Sequence, residues 1–233
     1  MKQQELGGLK TVVTGEGNGP VVVLMHGFGA PGDDLVSLHR VIAAPAGTRF
    51  VFPEAPIALG GPFGGGRAWW SIDMMQLQRD VMSGNLAAMV DRVPEQLDVS
   101  RALVNALLDD IGTKLGTPRS RIVLGGFSQG SMLAMDVALR AEKPLAGVVL
   151  LSSTLIAAKE WRPLMPSRKG LPVFQSHGQE DPVLPFEIAE MLRDELIAAK
   201  LDVTWIPFRG GHGIPPQVID GLGPFLQKAF EKS

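Results

Sequence analysis

Apolar residues recur along this chain in two rhythms. Val21-Val22-Val23-Leu24-Met25 is an uninterrupted apolar run that stops at His26-Gly27, the pattern of a strand buried on both faces. Arg49-Phe50-Val51-Phe52 reads as a second strand, stopped by Pro53. Between Arg101 and Leu115 the residues Leu103, Val104, Leu107, Leu108, Ile111 and Leu115 return at helical spacing, and Gly116 and Pro118 supply stop signals. Arg121 to Gly125 then predicts a strand, Ser131 to Arg140 a helix, Leu145 to Leu151 a buried strand and Leu171 to Ser176 another. Pro185 to Lys200 reads as a helix, Asp202 to Ile206 as extended chain, and Pro216 to Phe230 as a final helix. Strands that alternate with long helices need crossover connections, so the expected class is α/β, a mostly parallel sheet with helices on both faces. In such sheets chemistry collects in the loops beyond the strand carboxyl ends.

Composition narrows the function more than the fold. A chain of 233 residues with 45% hydrophobic content fits one domain over residues 1–233, large enough to hold a core and a pocket. A formal net charge of -2 without a Lys/Arg cluster offers no footprint for nucleic acid or an anionic membrane. The first residues lack the apolar run of a secretory signal, and no stretch reaches the ~18 apolar residues of a membrane span. The expectation is a cytoplasmic protein without stable membrane insertion. With no cysteine there is no disulfide, no thiolate metal site and no thiol nucleophile, so covalent catalysis has to use another group.

That group is offered by Gly126-Phe127-Ser128-Gln129-Gly130, which directly follows one predicted strand and opens the apolar helical stretch from Met132 to Leu139. Strand, G-x-S-x-G turn and helix together form the nucleophile elbow of the α/β-hydrolase fold, with glycines where the strained serine brings its neighbours close. A serine hydroxyl needs a histidine to take its proton, and the histidine needs a carboxylate to fix its tautomer. Of four histidines, His26 and His177 end predicted strands in His-Gly turns and His39 lies in a helical stretch. Only His212 sits in a glycine-rich loop, between the last strand and the last helix, so it is the candidate base. The order Ser, acid, His then calls for a carboxylate between residues 128 and 212; Asp181, in the loop after the strand ending at Ser176, is the candidate, with Glu180 as its rival.

For the developing oxyanion, the amide of Gln129 and that of Phe28, in His26-Gly27-Phe28-Gly29-Ala30, are the expected donors. His26 is expected to brace this loop rather than to act in the chemistry. Phe63, Trp69, Trp70, Met74 and Met75 offer large apolar surface and either line the acyl or alcohol pocket or pack a helix onto the sheet. The glycines from Gly61 to Gly66 do not make a phosphate loop, because Arg67-Ala68 stands where Lys-Ser/Thr is needed.

The segments Leu24 to Ala30 with Gly32 and Asp34, Gly125 to Ser131, His177-Gly178 with Asp181 to Pro185, and Gly211-His212-Gly213 resemble the small α/β-hydrolases of the phospholipase/carboxylesterase family, which includes acyl-protein thioesterases. The resemblance runs from about Pro20 to the end. It implies hydrolysis of short to medium acyl esters, lysophospholipids or thioesters through a Ser128-His212-Asp181 triad and an acyl-enzyme. It also implies no metal or other cofactor and no large separate lid domain, and it is compatible with a homodimer. The stretch from Pro62 to Met75 departs from the family in its glycine content. A carbon-carbon bond or lactone hydrolase on the same fold, and a non-catalytic binding protein, are the competing functional classes.

Overall fold

The apolar runs become the strands of one sheet in this computed structural model, which describes residues 1–60 and 64–232. The chain begins with a hairpin of β1 (Lys2–Leu6) and β2 (Leu9–Thr14), then forms β3 (Val21–Met25), β4 (Arg49–Pro53) and a short ribbon of β5 (Ile57–Ala58) and β6 (Arg67–Ala68). Helices α1 (Met74–Ser83), α2 (Leu86–Asp91) and α3 (Leu97–Lys114) precede β7 (Ile122–Phe127). Then come α4 (Gln129–Arg140), β8 (Gly147–Leu151), α5 (Ala158–Trp161), β9 (Pro172–Gly178), α6 (Phe186–Ala198), β10 (Asp202–Phe208) and α7 (Pro216–Glu231).

Eight strands pair in the order β1-β2-β4-β3-β7-β8-β9-β10. Among the described residues of this sheet the pairings β4–β3, β3–β7, β7–β8, β8–β9 and β9–β10 are parallel and β1–β2 and β2–β4 are antiparallel, while the separate β5–β6 ribbon is antiparallel. The mostly parallel α/β sheet expected from the alternating pattern is therefore observed, in keeping with the α/β-hydrolase fold that the serine elbow and the resemblance imply.

The run at Val21 is apolar throughout because its alternate side chains enter different cores. Val21, Val23 and Met25 pack in a cluster with Val104 and Leu108 of α3, Leu133 of α4 and Leu192 of α6. Val22 and Leu24 pack on the opposite face with Leu35 and with Val218, Leu222 and Phe225 of α7. Each aliphatic side chain fully buried in this way contributes ~1.5–3 kcal/mol.

The hairpin β1–β2 was not legible as a pair of strands. Of β1 only Leu6 is buried, and a solvated edge strand carries little periodic signal. Among the described residues no helix is long and apolar enough to cross a membrane.

Candidate active site

Strands β3, β7, β9 and β10 all point their carboxyl ends toward the same side of the sheet, since they run parallel. Four loops leave from there. The first is the turn after β3, pressed against the elbow after β7 by a register that sets Met25 opposite Gly126. A Cβ on Gly126 would stand 2.4 Å from the Met25 carbonyl oxygen, and one on Gly130 only 2.2 Å from it. No side chain fits in that space, which is why glycine occupies both flanks of the serine. Ser128 itself has φ 53 and ψ -118, a sparsely populated conformation for a residue with a side chain, and caps the start of α4. Its amide donates to the Leu151 carbonyl at 2.8 Å, tying the strained residue to β8.

The acid and histidine loops pack equally closely. A Cβ on Gly178 would meet the Gly211 carbonyl oxygen at 2.2 Å, and the Glu180 amide donates to the Gly210 carbonyl at 3.0 Å. Across this contact His212 Nδ1 donates to Asp181 Oδ2 at 2.6 Å. The other carboxylate oxygen, Oδ1, accepts the amides of Val183 at 2.8 Å and Leu184 at 2.9 Å. Burial alone would push the Asp181 carboxyl up, but the hydrogen bonds from His212, Leu184 and Val183 and the nearness of His212 outweigh it and hold the group below the ordinary carboxylate value. Asp181 is therefore an anion, and its partner carries its proton on Nδ1, leaving Nε2 as the basic nitrogen. Glu180 makes no such contact with His212; the carboxylate beside the imidazole is that of Asp181.

Ser128 and His212 line one cavity of about 280 Å³, together with Phe28 and Gln129. That is near the lower end of the ~300–1,000 Å³ common for ligand pockets. Its remaining walls are mainly apolar: Trp70, Ile72, Met74, Leu77, Met89, Met132, Leu155, Ile156 and Ile188. The polar exceptions include Thr154 and Arg92, whose guanidinium pairs with the buried carboxylate of Asp80 on α1. Among the described residues no group of three His, Asp or Glu side chains is placed to hold a metal.

The large apolar residues expected in the wall divide. Trp70 and Met74 line the cavity, whereas Trp69 does not. Trp69 is 0% exposed and lies behind the loops, its indole Nε1 donating to the His26 carbonyl at 3.0 Å. Met75 is 70% exposed and turns outward. Phe63 lies outside the described residues.

His26 acts as a brace. Its Nδ1 donates to the Gly27 carbonyl at 2.8 Å and its Nε2 accepts the Ala55 amide at 3.1 Å; burial lowers its pKa, consistent with a neutral ring. The same loop is tied to β6 by Gly29 N to Arg67 O at 2.9 Å and Arg67 N to Ala30 O at 3.0 Å.

Two features escaped the sequence. The side chain of Gln129 grips the tryptophan pair, accepting the Trp69 amide at 2.8 Å and donating to the Trp70 carbonyl at 2.9 Å. Helices α1 and α2 supply Met74, Leu77 and Met89 to the wall. Both helices had a readable start, since Asp73 accepts the Gln76 amide and Asn85 the Ala88 amide as N-caps, and Gly84 with φ 65 ends α1.

Comparison with known proteins identifies the family. The sequence profile described as Phospholipase/Carboxylesterase matches residues 8–230. Acyl-protein thioesterase 1 of Mycosarcoma maydis is 32% identical over 95% of this chain and 98% of its own length. Among solved structures, esterase PE8 superposes with a TM-score of 0.78 at 25% identity, covering 98% of this chain and 100% of its own. The Bacillus cereus carboxylesterase, at 20% identity, shares the fold with a TM-score of 0.73 over 95% of both chains.

Proposed function

The chain belongs to the phospholipase/carboxylesterase family and is a carboxylic ester hydrolase, and on that premise we propose that it cleaves short to medium acyl esters and thioesters through Ser128, His212 and Asp181. The observation that carries this reading is the 2.6 Å bond from His212 to a buried Asp181 carboxylate, on a cavity that the strained Ser128 also lines. In this mechanism His212 Nε2 removes the Ser128 proton as Oγ attacks the substrate carbonyl. The amides of Phe28 and Gln129 receive the oxyanion, each such donor being worth ~10²–10³ in rate. The alcohol or thiol departs with the proton from His212, leaving Ser128 acylated. Water then gives a proton to His212 and attacks the acyl carbon, and collapse of that intermediate returns the proton to Ser128 and frees the acid. Asp181 keeps Nδ1 protonated and stabilises the imidazolium throughout.

An apolar cavity of about 280 Å³ supports a short to medium acyl chain, since the wall has few polar groups for an extended polar substrate. A series of p-nitrophenyl esters and matched thioesters of increasing chain length tests this. The expected result is a maximum of kcat/KM at short to medium chains for both linkages. Activity that keeps rising into long chains would contradict the chain-length assignment, and failure of a fluorophosphonate to label Ser128 would contradict the nucleophile.

A further inference from the structure

Asp181 has a second imidazole neighbour that the mechanism above does not use. His177, the penultimate residue of β9, is fully buried, and so is the Asp181 side chain. Its Nε2 lies 2.9 Å from the Leu184 carbonyl oxygen and 3.3 Å from Oδ2 of Asp181, the same oxygen that accepts from His212. Its Nδ1 makes no hydrogen bond of good geometry, although the Ser153 backbone lies close enough to act on the ring. A neutral imidazole carries one N–H, and the hydrogen bond from Nε2 to the Leu184 carbonyl places the proton on Nε2, with the Asp181 carboxylate oxygen beside it. The ring is edged by Phe186, with centroids 6.2 Å apart, and the ionisable groups that act on it are Asp181 and His212. Burial outweighs the Leu184 and Ser153 backbone contacts and the charge of Asp181, lowering the pKa and keeping the ring neutral.

We propose that His177 is a positioning residue of the hydrolytic site: its Nε2–H pins the Leu184 carbonyl of the loop whose Leu184 amide holds Oδ1 of Asp181, and lies against Oδ2 at 3.3 Å, so that the carboxylate keeps the orientation His212 requires. The proposal rests on the assignment of Asp181 and His212 to catalysis. With it, the carboxylate has three hydrogen-bond donors, two amides on Oδ1 and His212 on Oδ2, and the His177 Nε2 lies against Oδ2 at 3.3 Å as a fourth, electrostatic contact. A carboxylate held on all sides cannot rotate away when His212 gains and loses its proton. Each donor also draws charge from the anion, so His177 tempers the attraction between Asp181 and the His212 imidazolium. Removing the donor therefore raises the proton affinity of His212 and moves the acid limb of the rate profile to higher pH.

The test compares wild type, His177→Leu and His177→Gln, the last able to bring an amide N–H to the place of Nε2. Active sites are titrated with a fluorophosphonate so that misfolded protein is not counted. For His177→Leu the expected result is a kcat per active site lower by about 10–100-fold, the loss seen when the outer partner of a metal-bound histidine is removed and taken here by analogy, with KM little changed. Its acid limb in kcat/KM shifts upward, and His177→Gln recovers most of both losses. A purely structural role would lower the active fraction while leaving the acid limb in place, and that outcome overturns the proposal. His212→Ala, assayed alongside, separates the two ideas: if it stays active, the catalytic assignment fails and His177 falls with it. Should His177→Leu not fold, nitrogen-15 histidine spectra of the wild-type protein decide. The structure requires the neutral Nε2–H tautomer at pH 7; an Nδ1–H or doubly protonated ring contradicts it.

Discussion

The elbow around Ser128 and the wall from Trp70 to Pro94 meet at one cavity but are held in different ways. At the elbow, backbone presses on backbone: Gly126 and Gly130 against the Met25 carbonyl, and Gly178 against Gly211. The wall hangs on side chains, through Gln129 on the tryptophan pair, Ser100 Oγ on the Trp69 carbonyl, and the Asp80–Arg92 pair joining α1 to the end of α2. Backbone contacts tolerate almost no substitution and fix the side chains proposed to react. Side-chain contacts can be exchanged one at a time, which lets the wall vary while the chemistry stays fixed. A mutation in the first region should therefore strike kcat, and one in the second should strike stability or substrate preference.

The largest expected effect lies at the reacting groups. Ser128→Ala or His212→Ala should lower kcat by ~10⁴–10⁶ with the fold intact, as read by steady-state kinetics and circular dichroism. A loss of less than about tenfold would break the distinction.

The two adjacent tryptophans sharpen it further. Trp69→Ala removes a fully buried ring and its bond to His26, and should cost about 3–5 kcal/mol in urea unfolding while changing chain-length preference little in the protein that remains folded. Trp70→Ala should do the reverse. Its ring forms part of the wall, so the ratio of kcat/KM for longer over acetyl esters should change by about tenfold, with a smaller change in stability. An unchanged ratio would remove Trp70 from substrate contact.

The smallest effect concerns the braces. His26 and His177 both have folded-state pKa values lowered by burial, below the ordinary ~6.5. The unfolded chain consequently takes up protons first on acidification. Their contribution to stability is complete above pH ~6.5 and is lost as pH falls toward the folded-state values. The urea midpoint should decline between pH 7.5 and 5.5, whereas Asp181, an acid held below its ordinary value, adds its own loss only at lower pH, below ~4. A midpoint that stays constant over the upper interval would show that these rings are not buried as neutral braces.

The same contrast explains what could be read from the sequence. The elbow was legible because its sterics leave a mark in residue type: glycine on both sides of Ser128, and His-Gly at the end of β3. Asp181 and His212 followed from chain order and from loops placed after strands. The wall left no comparable mark. Nothing in the sequence separates Trp69 from Trp70, because what divides them is where Gln129, Ser100 and the His26 carbonyl lie in space. Helices α1 and α2 were missed although Asp73, Gly84 and Asn85 are recognisable caps and stops, since both are short and divide their apolar residues between the cavity and the core. The role of His177 was hidden for a similar reason: its His-Gly turn reads the same as that of His26, and only the fold sets it against Asp181.

The most direct examination of the site is to catch the covalent intermediate. Rapid acid quench of the wild-type protein with an activated ester that acylates quickly and deacylates slowly, followed by peptide mass spectrometry, should find the acyl group on the peptide carrying Ser128. It should be absent from Ser128→Ala and form far more slowly in His212→Ala. Full turnover with no acyl mass on that peptide, or the same acylation rate without the imidazole, would contradict the account.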